Sequence, residues 1–222
     1  MAWLAAFTLL IFAFSAFIHL LLVWSGPQPA KFQPPATGVS GESVEAMTSI
    51  LKTFKGEKIV SARVVPSADG PLLQVSQRVD APRSYYSLNT DSSNSFEALK
   101  DCDFSQAKWL GEYYSGLDLP VESIEFINIF SDEYPAVNRL LPVYRIVYTS
   151  DDGLVIFVHT ESGAFVALNN QWKKNLQTIF QWLHTWSWLD SLPWLRVVIL
   201  SFVFGKFDHC GARWCHSFVF KA

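Results

Sequence analysis

An uninterrupted apolar run near the N-terminus is the feature that most limits how this chain can fold. The 22 residues from Trp3 to Trp24 contain no Asp, Glu, Lys or Arg. As an α-helix, a run of this length extends about 33 Å, which is enough to cross a hydrocarbon core of about 30 Å. We therefore predict a transmembrane helix in residues 1–25, with its N-terminus in the cytoplasm.

A cleaved secretory signal is the alternative interpretation of this run. Such a signal has a basic start, an apolar core of about 7 to 15 residues and a cleavage site between small residues. No basic residue precedes Trp3, and the run continues through Leu20–Val23 to Trp24, a residue typical of the membrane interface. The pattern favours an anchor that stays in the chain.

Composition points to the same class of protein. Of the 222 residues, 50% are hydrophobic and only 17% are charged, and the mean hydropathy is +0.19. The net charge of −3 and the lack of a Lys/Arg stripe give no basic surface for a phosphate backbone, so a nucleic-acid partner is not expected. The three cysteines form no disulfide framework, so they leave the compartment open.

A second apolar region, residues 172–207, lies near the C-terminus. Its tryptophan-rich first half predicts a helix in the headgroup layer, and its second half is too short for a complete membrane helix. We expect residues 208–222 to form an irregular tail. The tail has residue types that bind zinc, but their spacing does not match a structural zinc site: Asp208, His209, Cys210, Cys215 and His216.

The polar middle of the chain follows a proline-rich linker, residues 26–42, and repeats one pattern twice. The first module, residues 43–95, has a helix from Ser43 to Phe54 and then three strands. The second module, residues 96–171, has a helix from about Phe104 to Tyr114, one strand, a hairpin and a last short strand. This order predicts an α+β fold in which each helix covers one face of an antiparallel sheet. The other face and an edge strand are then expected to be exposed and suited to binding.

Motifs for catalysis are missing from the sequence. It contains no nucleophile elbow, phosphate loop, H-E-x-x-H pair or dinucleotide fingerprint. His159 beside Glu161 is interpreted as an ordinary surface or edge histidine, and Asp151–Gly153 and Glu161–Gly163 as hairpin turns. We therefore predict no catalytic residue and no metal site of the chain's own.

Three segments carry a resemblance to a known family. The stretch EYP…NRLLPVYRIVYTSDDGLVIFVHTESGAFVALN resembles a PepSY domain. The stretch HLLLVWSGPQPAKFQPP resembles the first helix and stalk of PepSY-associated transmembrane proteins, and WLHTWSWLDSLPWLR resembles the segment where that family returns to the membrane. The resemblance implies two PepSY-like helix-plus-sheet modules, flanked by membrane helices and lying on the periplasmic side of a bacterial inner membrane. After Leu200 the chain departs from the family pattern, and we expect a truncated or frameshifted end.

The resemblance implies two functions. In the first, the protein is a membrane-anchored regulatory module with no catalytic site, whose partner outside the membrane is a peptide, a peptidase or an iron-uptake protein. In the second, it is a component or fragment of a haem-dependent ferric-siderophore reductase, an enzyme of iron uptake.

Two histidines decide between these functions. His19 and His184 match the family positions near the two membrane boundaries, which implies a b-type haem held between two imidazoles. A histidine tolerated at the interface is the alternative for His19. Because such a site needs a helix bundle, we expect that this chain has lost it or completes it only with a partner. If the site is lost, His19 would face lipid or headgroups beside Trp24, and His184 would lie on the polar side of its helix near Asp190.

Overall fold

The computed structural model describes residues 2–88, 97–184, 191, 192, 194, 197 and 201. It divides into a terminal unit, Met1–Gly26 with Trp172–Ala222, and a central unit, Pro27–Gln171. The elements in chain order are α1 (Ala2–Trp24), α2 (Gly41–Thr53), β1 (Ser61–Ser67), β2 (Gly70–Ser76), β3 (Ser84–Ser87), α3 (Cys102–Ser115), β4 (Val121–Ile127), β5 (Val143–Tyr148), β6 (Val155–His159), β7 (Ala164–Asn169) and α4 (Gln171–His184).

In the terminal unit, α1 pairs with α4 in an antiparallel sense. Ser15 contacts His184, and four residues later in α1 the ring of His19 contacts Phe180, four residues earlier in α4. Near the other end, the indole of Trp172 donates to Ser25 Oγ at 3.0 Å. Helix α1 therefore lies where the apolar run predicts a helix.

The membrane helix predicted in residues 1–25 corresponds to α1 in the structure. Within the part of the chain that the structure describes, no helix is both long and apolar enough to cross a membrane.

The first module consists of α2 and a sheet with strand order β1-β2-β3. Ser40 caps α2 by accepting the N–H of Ser43 at 3.1 Å, which satisfies one of the free donors of the first turn. Ile50 on the inner side of α2 is 1% exposed. It packs on one face of the sheet, against Leu73, Val75, Tyr86 and Leu88.

The second module consists of α3 and a sheet with strand order β4-β5-β6-β7. Gly111 lets the helix approach closely, since a Cβ built there would lie 2.7 Å from Tyr148 Oη. The apolar cluster between α3 and the sheet includes Ala107, Leu110, Tyr114, Ile146, Ile156 and Val158. Both sheets are antiparallel and run in sequence order, so the predicted α+β class is confirmed.

The prediction of an open sheet face is wrong for both modules. On the second face of the first sheet, Gln74 and Tyr85 are 1% and 0% exposed, because residues of the second module cover them. The second face of the second sheet carries Phe157, which stacks on Tyr134 from the loop after β4. Two small sheets bury more apolar surface by packing on neighbouring segments than by leaving a face in water.

The linker before the first module contacts the second one. Ala30 donates its N–H to Tyr114 O at the end of α3, at 2.7 Å. The ammonium of Lys31 lies 4.0 Å from the centre of the Tyr113 ring, which is cation–π geometry. Helix α3 ends at Gly116, which has φ +66°, and a Cβ there would lie 2.7 Å from Ala30 Cβ. The linker is therefore tied to the C-terminal end of α3.

Candidate functional site

Asp103 is the centre of a buried polar cluster between the two modules. It lies in the first turn of α3 and is 3% exposed. Its Oδ1 accepts the hydroxyl of Tyr85 at 2.7 Å, and its Oδ2 accepts the hydroxyl of Tyr144 at 2.6 Å and the N–H of Arg83 at 3.0 Å. A carboxylate in this position is also favoured by the N-terminal end of the helix dipole. We name this cluster the polar junction: Gln74, Arg83, Tyr85, Asp103, Tyr144, Thr160 and Glu161.

The two tyrosines of the polar junction are held in their neutral form. Burial raises the pKa of Tyr85 well above its ordinary value, and the adjacent Asp103 carboxylate raises it further. The same two causes, in the same order, strongly raise the pKa of Tyr144. Both hydroxyls are therefore permanent donors to Asp103, and neither is prepared to act as a base or a nucleophile.

Arg83 joins the β6–β7 turn to the first module. Its Nη2 lies 3.2 Å from Glu161 Oε2, and its side chain is fully buried while that of Glu161 is 17% exposed. Burial opposes ionisation of Glu161, but hydrogen bonds from Arg83 and Ser61 prevail and lower its pKa. Glu161 therefore stays ionised at neutral pH, and its contacts with Arg83 before β3 and Ser61 on β1 fix the turn against the first module.

Gln74 makes a further polar contact between the modules. Its Nε2 donates to Thr160 O at 2.9 Å and to Tyr85 Oη at 2.7 Å. The reverse amide orientation would place Oε1 against Thr160 O, which can only accept a hydrogen bond. The orientation is therefore fixed by the network, although Oε1 then has no hydrogen-bond partner among the described residues.

His159, expected on the surface, is buried instead. It is 8% exposed, and burial and then Arg83 lower its pKa below the ordinary value. The correction has a physical cause: the β6–β7 turn folds against the first module and takes the end of β6 with it. The turns at Asp151–Gly153 and Glu161–Gly163 are confirmed, with Gly153 and Gly163 at φ +62° and +67°.

The functional groups of the polar junction are engaged largely with one another. Its one carboxylate at the centre accepts three hydrogen bonds, and its two hydroxyls donate to that carboxylate. Its cation is paired with Glu161. The described residues show no group of three or more His, Cys, Asp or Glu side chains that could hold a metal ion.

The outer edge of β4 is the second candidate site. Among the described strands β4 pairs only with β5. Tyr148 at the end of β5 donates its N–H to Leu154 O, just before β6. Because the hydrogen-bonding side alternates along an antiparallel strand, the backbone groups of even-numbered β5 residues point toward β6 and those of odd-numbered residues point toward β4. The β4 partners of the odd-numbered residues are Ser123, Glu125 and Ile127. Ile124 and Phe126 therefore turn their backbone N–H and C=O groups away from the sheet.

Acidic residues lie on β4 and in the segments that flank it in the sequence. Glu122 and Glu125 on β4 are exposed. Residues 109–138 contain six acidic residues and no Lys or Arg. Arg145 on β5 offsets part of this charge by pairing with Glu125 at 3.3 Å and Glu133 at 3.0 Å. The edge thus combines outward backbone groups with a negative field.

The terminal unit holds the two histidines that the family resemblance implies as haem ligands. Ser15 Oγ donates to Phe12 O at 2.9 Å and lies 3.1 Å from His184 Nδ1. The one hydroxyl proton of Ser15 is directed at Phe12 O, so Ser15 Oγ accepts a hydrogen bond from Nδ1–H of His184. In this tautomer the free lone pair of the His184 ring is on Nε2. This is the arrangement found in histidines that bind metals, where the other ring nitrogen donates a hydrogen bond.

Phe180 lies beside both imidazoles. Its ring stacks on His184, with centroids 4.8 Å apart, and contacts His19 at 5.6 Å. The structure thus places His19 and His184 along one face of the α1–α4 pair, one helical turn apart. Among the described residues, the contact shown for the His19 ring is the one with Phe180. Asp190, expected near His184, lies outside the described residues, as do all five residues of the tail with zinc-binding chemistry.

Sequence reasoning missed the polar junction. Arg83 and Asp103 are 20 residues apart and Arg83 and Glu161 are 78 apart, so no local spacing joins them. One signal was present in the sequence: Asp103 lies in the first turn of α3, an amphipathic helix whose apolar side alone entered the prediction.

Comparison with known proteins gives no match: no family model fits the sequence, and no curated protein or solved structure matches it. The PepSY resemblance stays a prediction.

Proposed function

We propose that the protein is a membrane-anchored module of the PepSY type that binds an extended peptide segment outside the cytoplasm and has no catalytic site of its own. The outward backbone groups of β4 carry this proposal. A peptide strand added there would pair with Ile124 and Phe126, as in other cases of strand addition to a sheet edge. The polar junction supports a binding role over a catalytic one, because its central carboxylate and both tyrosine hydroxyls are engaged with one another.

The chemistry of the edge favours a basic peptide. Glu122 and Glu125 lie on the strand itself, and residues 109–138 add four further acidic residues and no lysine or arginine, while Arg145 on β5 offsets part of this charge. Such a field speeds the approach of a cationic partner and disfavours an acidic one. Exposed apolar side chains at Ile129 and Val137, in the loop after β4, would supply further contact surface.

A proline at the strand edge tests this proposal. Ile124→Pro removes one outward N–H, a change that an edge strand tolerates, and Ile124→Ala removes the same packing but keeps the N–H. The intact chain in lipid nanodiscs would be used to select binders from a displayed random-peptide library. We expect basic peptides that bind Ile124→Pro about tenfold more weakly than Ile124→Ala, the value of one hydrogen bond. No enrichment, or equal binding to both variants, would contradict the proposal.

Membrane anchoring rests on the sequence of α1, whose 22 residues from Trp3 to Trp24 carry no charged side chain. It places Cys102 outside the cytoplasm. A variant that keeps Cys102 as the single cysteine would be treated with a membrane-impermeant maleimide in spheroplasts. Because the thiol is half-buried and burial raises its pKa, labelling after mild denaturation is the fair comparison. Protection in both conditions would refute the topology.

A haem-dependent ferric-chelate reductase component is the second candidate, favoured by the Ser15–His184 hydrogen bond. That bond leaves Nε2 of His184 as the ring's lone-pair nitrogen. When bound, a haem would supply one-electron transfer. Absorbance separates the two functions: a reductase purified from haem-replete membranes shows a Soret band that shifts on reduction and is lost in His184→Leu, whereas a binding module is colourless.

A further inference from the structure

His159 is a buried histidine with no role in the proposed function. It ends β6, and it is the only histidine in residues 27–171. Its Nδ1 receives the backbone N–H of Ser162 at 3.3 Å and lies 2.7 Å from Ser162 Oγ. Because a backbone N–H can only donate, Nδ1 is an acceptor, the ring is neutral and its proton is on Nε2.

The turn that His159 braces makes the contacts between the two modules. Thr160 O accepts from Gln74, and the Glu161 carboxylate accepts from Ser61 Oγ at 3.0 Å and pairs with Arg83. Glu161 O also lies 3.4 Å from Arg63 Nη1 on β1. A change at Ser162 is therefore transmitted directly to residues that contact the first module.

Four charged groups from several elements act on the His159 ring. Arg83, before β3, and Arg63, on β1, disfavour its cation, whereas Glu161 in the turn and Asp103 on α3 favour it. The two carboxylates are already engaged, Glu161 with Arg83 and Asp103 with the two tyrosines. Burial, the largest effect, and then Arg83 lower the pKa of His159.

We propose that His159 and Ser162 form an acid-sensitive latch, in which protonation of Nδ1 breaks its hydrogen bond from Ser162 N–H and loosens the β6–β7 turn from the first module. The added proton makes Nδ1 a donor that faces the Ser162 N–H, which can only donate, and the Ser162 hydroxyl must turn from donor to acceptor. The ring also becomes a buried cation near Arg83. Mild acid thus weakens the junction between the two sheets while Glu161, whose pKa is lowered, remains ionised.

The sign of the pH effect follows from proton linkage. In the unfolded or released chain, His159 has the ordinary histidine pKa of about 6.5. In the latched state its pKa is lower, so the ring takes up a proton only at lower pH. The latch is therefore fully stable above about pH 6.5 and loses stability as pH falls below it. For each pH unit below this value, the equilibrium constant for opening of the latch rises by a factor that approaches ten. The rise stops when the ring is also protonated in the latched state.

Hydrogen exchange of the intact chain in nanodiscs tests the latch. Exchange would be measured at pH 7.5 and 5.5 and corrected for the intrinsic pH dependence with an unstructured peptide. We expect amides of β1 and the β6–β7 turn to open about tenfold more at pH 5.5. His159→Asn keeps an acceptor for Ser162 N–H but does not titrate, so it should abolish the increase. His184→Asn, in the terminal unit, should retain it.

Two results would overturn the latch: no increase in the wild-type protein, or the same increase in His159→Asn. If that variant does not fold, the titration of His159 by NMR in wild-type protein decides the matter, because a pKa at or above 6.5 contradicts the latch. Ser162→Ala removes a donor to the neutral ring and should raise the pKa of His159 relative to wild type. The latch does not depend on peptide binding, so either proposal can fail without the other.

Discussion

The two modules share a helix-on-sheet plan but differ in how their second sheet faces are covered. In the second module that face packs Phe157 on Tyr134 from its own loop, and its Arg145 pairs with Glu125 and Glu133 of the same module. In the first module it carries Gln74 and Tyr85, whose partners Thr160 and Asp103 belong to the second module. The second module thus completes its own core, whereas the first depends on hydrogen bonds from its neighbour.

The largest expected effect breaks this dependence at its centre. Asp103→Ala leaves three buried donors without their acceptor: Tyr85 Oη, Tyr144 Oη and Arg83 N. We expect a loss of about 3 to 5 kcal/mol in the free energy of unfolding, measured by denaturant titration of the intact chain. The control is Asp101→Asn, two residues earlier, whose exposed side chain makes no capping bond. A loss below about 1 kcal/mol in Asp103→Ala would contradict the central role of this carboxylate.

The two tyrosines sharpen the comparison, because one belongs to each module. Tyr144→Phe removes one hydrogen bond to a charged group and should cost about 2 kcal/mol. Tyr85→Phe removes the equivalent bond and also the acceptor of Gln74 Nε2, so it should cost about 1 kcal/mol more. Both costs come from the same denaturant titration. The reverse order would show that the first module does not depend on its neighbour in the way described.

A smaller effect tests packing inside the second module. The Cβ of Gly111→Ala would lie 2.7 Å from Tyr148 Oη and 2.9 Å from Ile146 Cδ1. We expect a net loss of about 1 to 2 kcal/mol, since the helix propensity of alanine offsets part of the strain. Gly41→Ala in α2 meets no atom within 4 Å and is the matched control. Equal stability of the two variants would show that α3 shifts freely on its sheet.

Local patterns predicted the elements well because they depend on residues close in sequence. Helix α2 runs from Gly41 to Thr53 and α3 from Cys102 to Ser115, so each begins two residues before its predicted start at Ser43 or Phe104. These differences are typical of helix and strand ends.

The candidate sites were predicted less well, because they depend on contacts between distant segments. Nothing near Asp103 in the sequence indicates that Tyr144 and Arg83 meet its carboxylate. For the same reason the open sheet faces were predicted wrongly: the alternation within β2 does not tell whether Gln74 faces water or a neighbouring module. The exposed edge of β4, by contrast, follows from strand order alone.

Native-state hydrogen exchange tests the difference between the modules most directly. In the intact chain at pH 7.5, amides of Leu73 and Tyr86 should exchange through openings of lower free energy than amides of Ile146 and Ile156. Asp103→Asn should lower the opening free energies of the Leu73 and Tyr86 amides further. It should change those of Ile146 and Ile156 less. Equal opening free energies for the four amides, or a larger loss at Ile146 and Ile156, would contradict the dependence of the first module on the second.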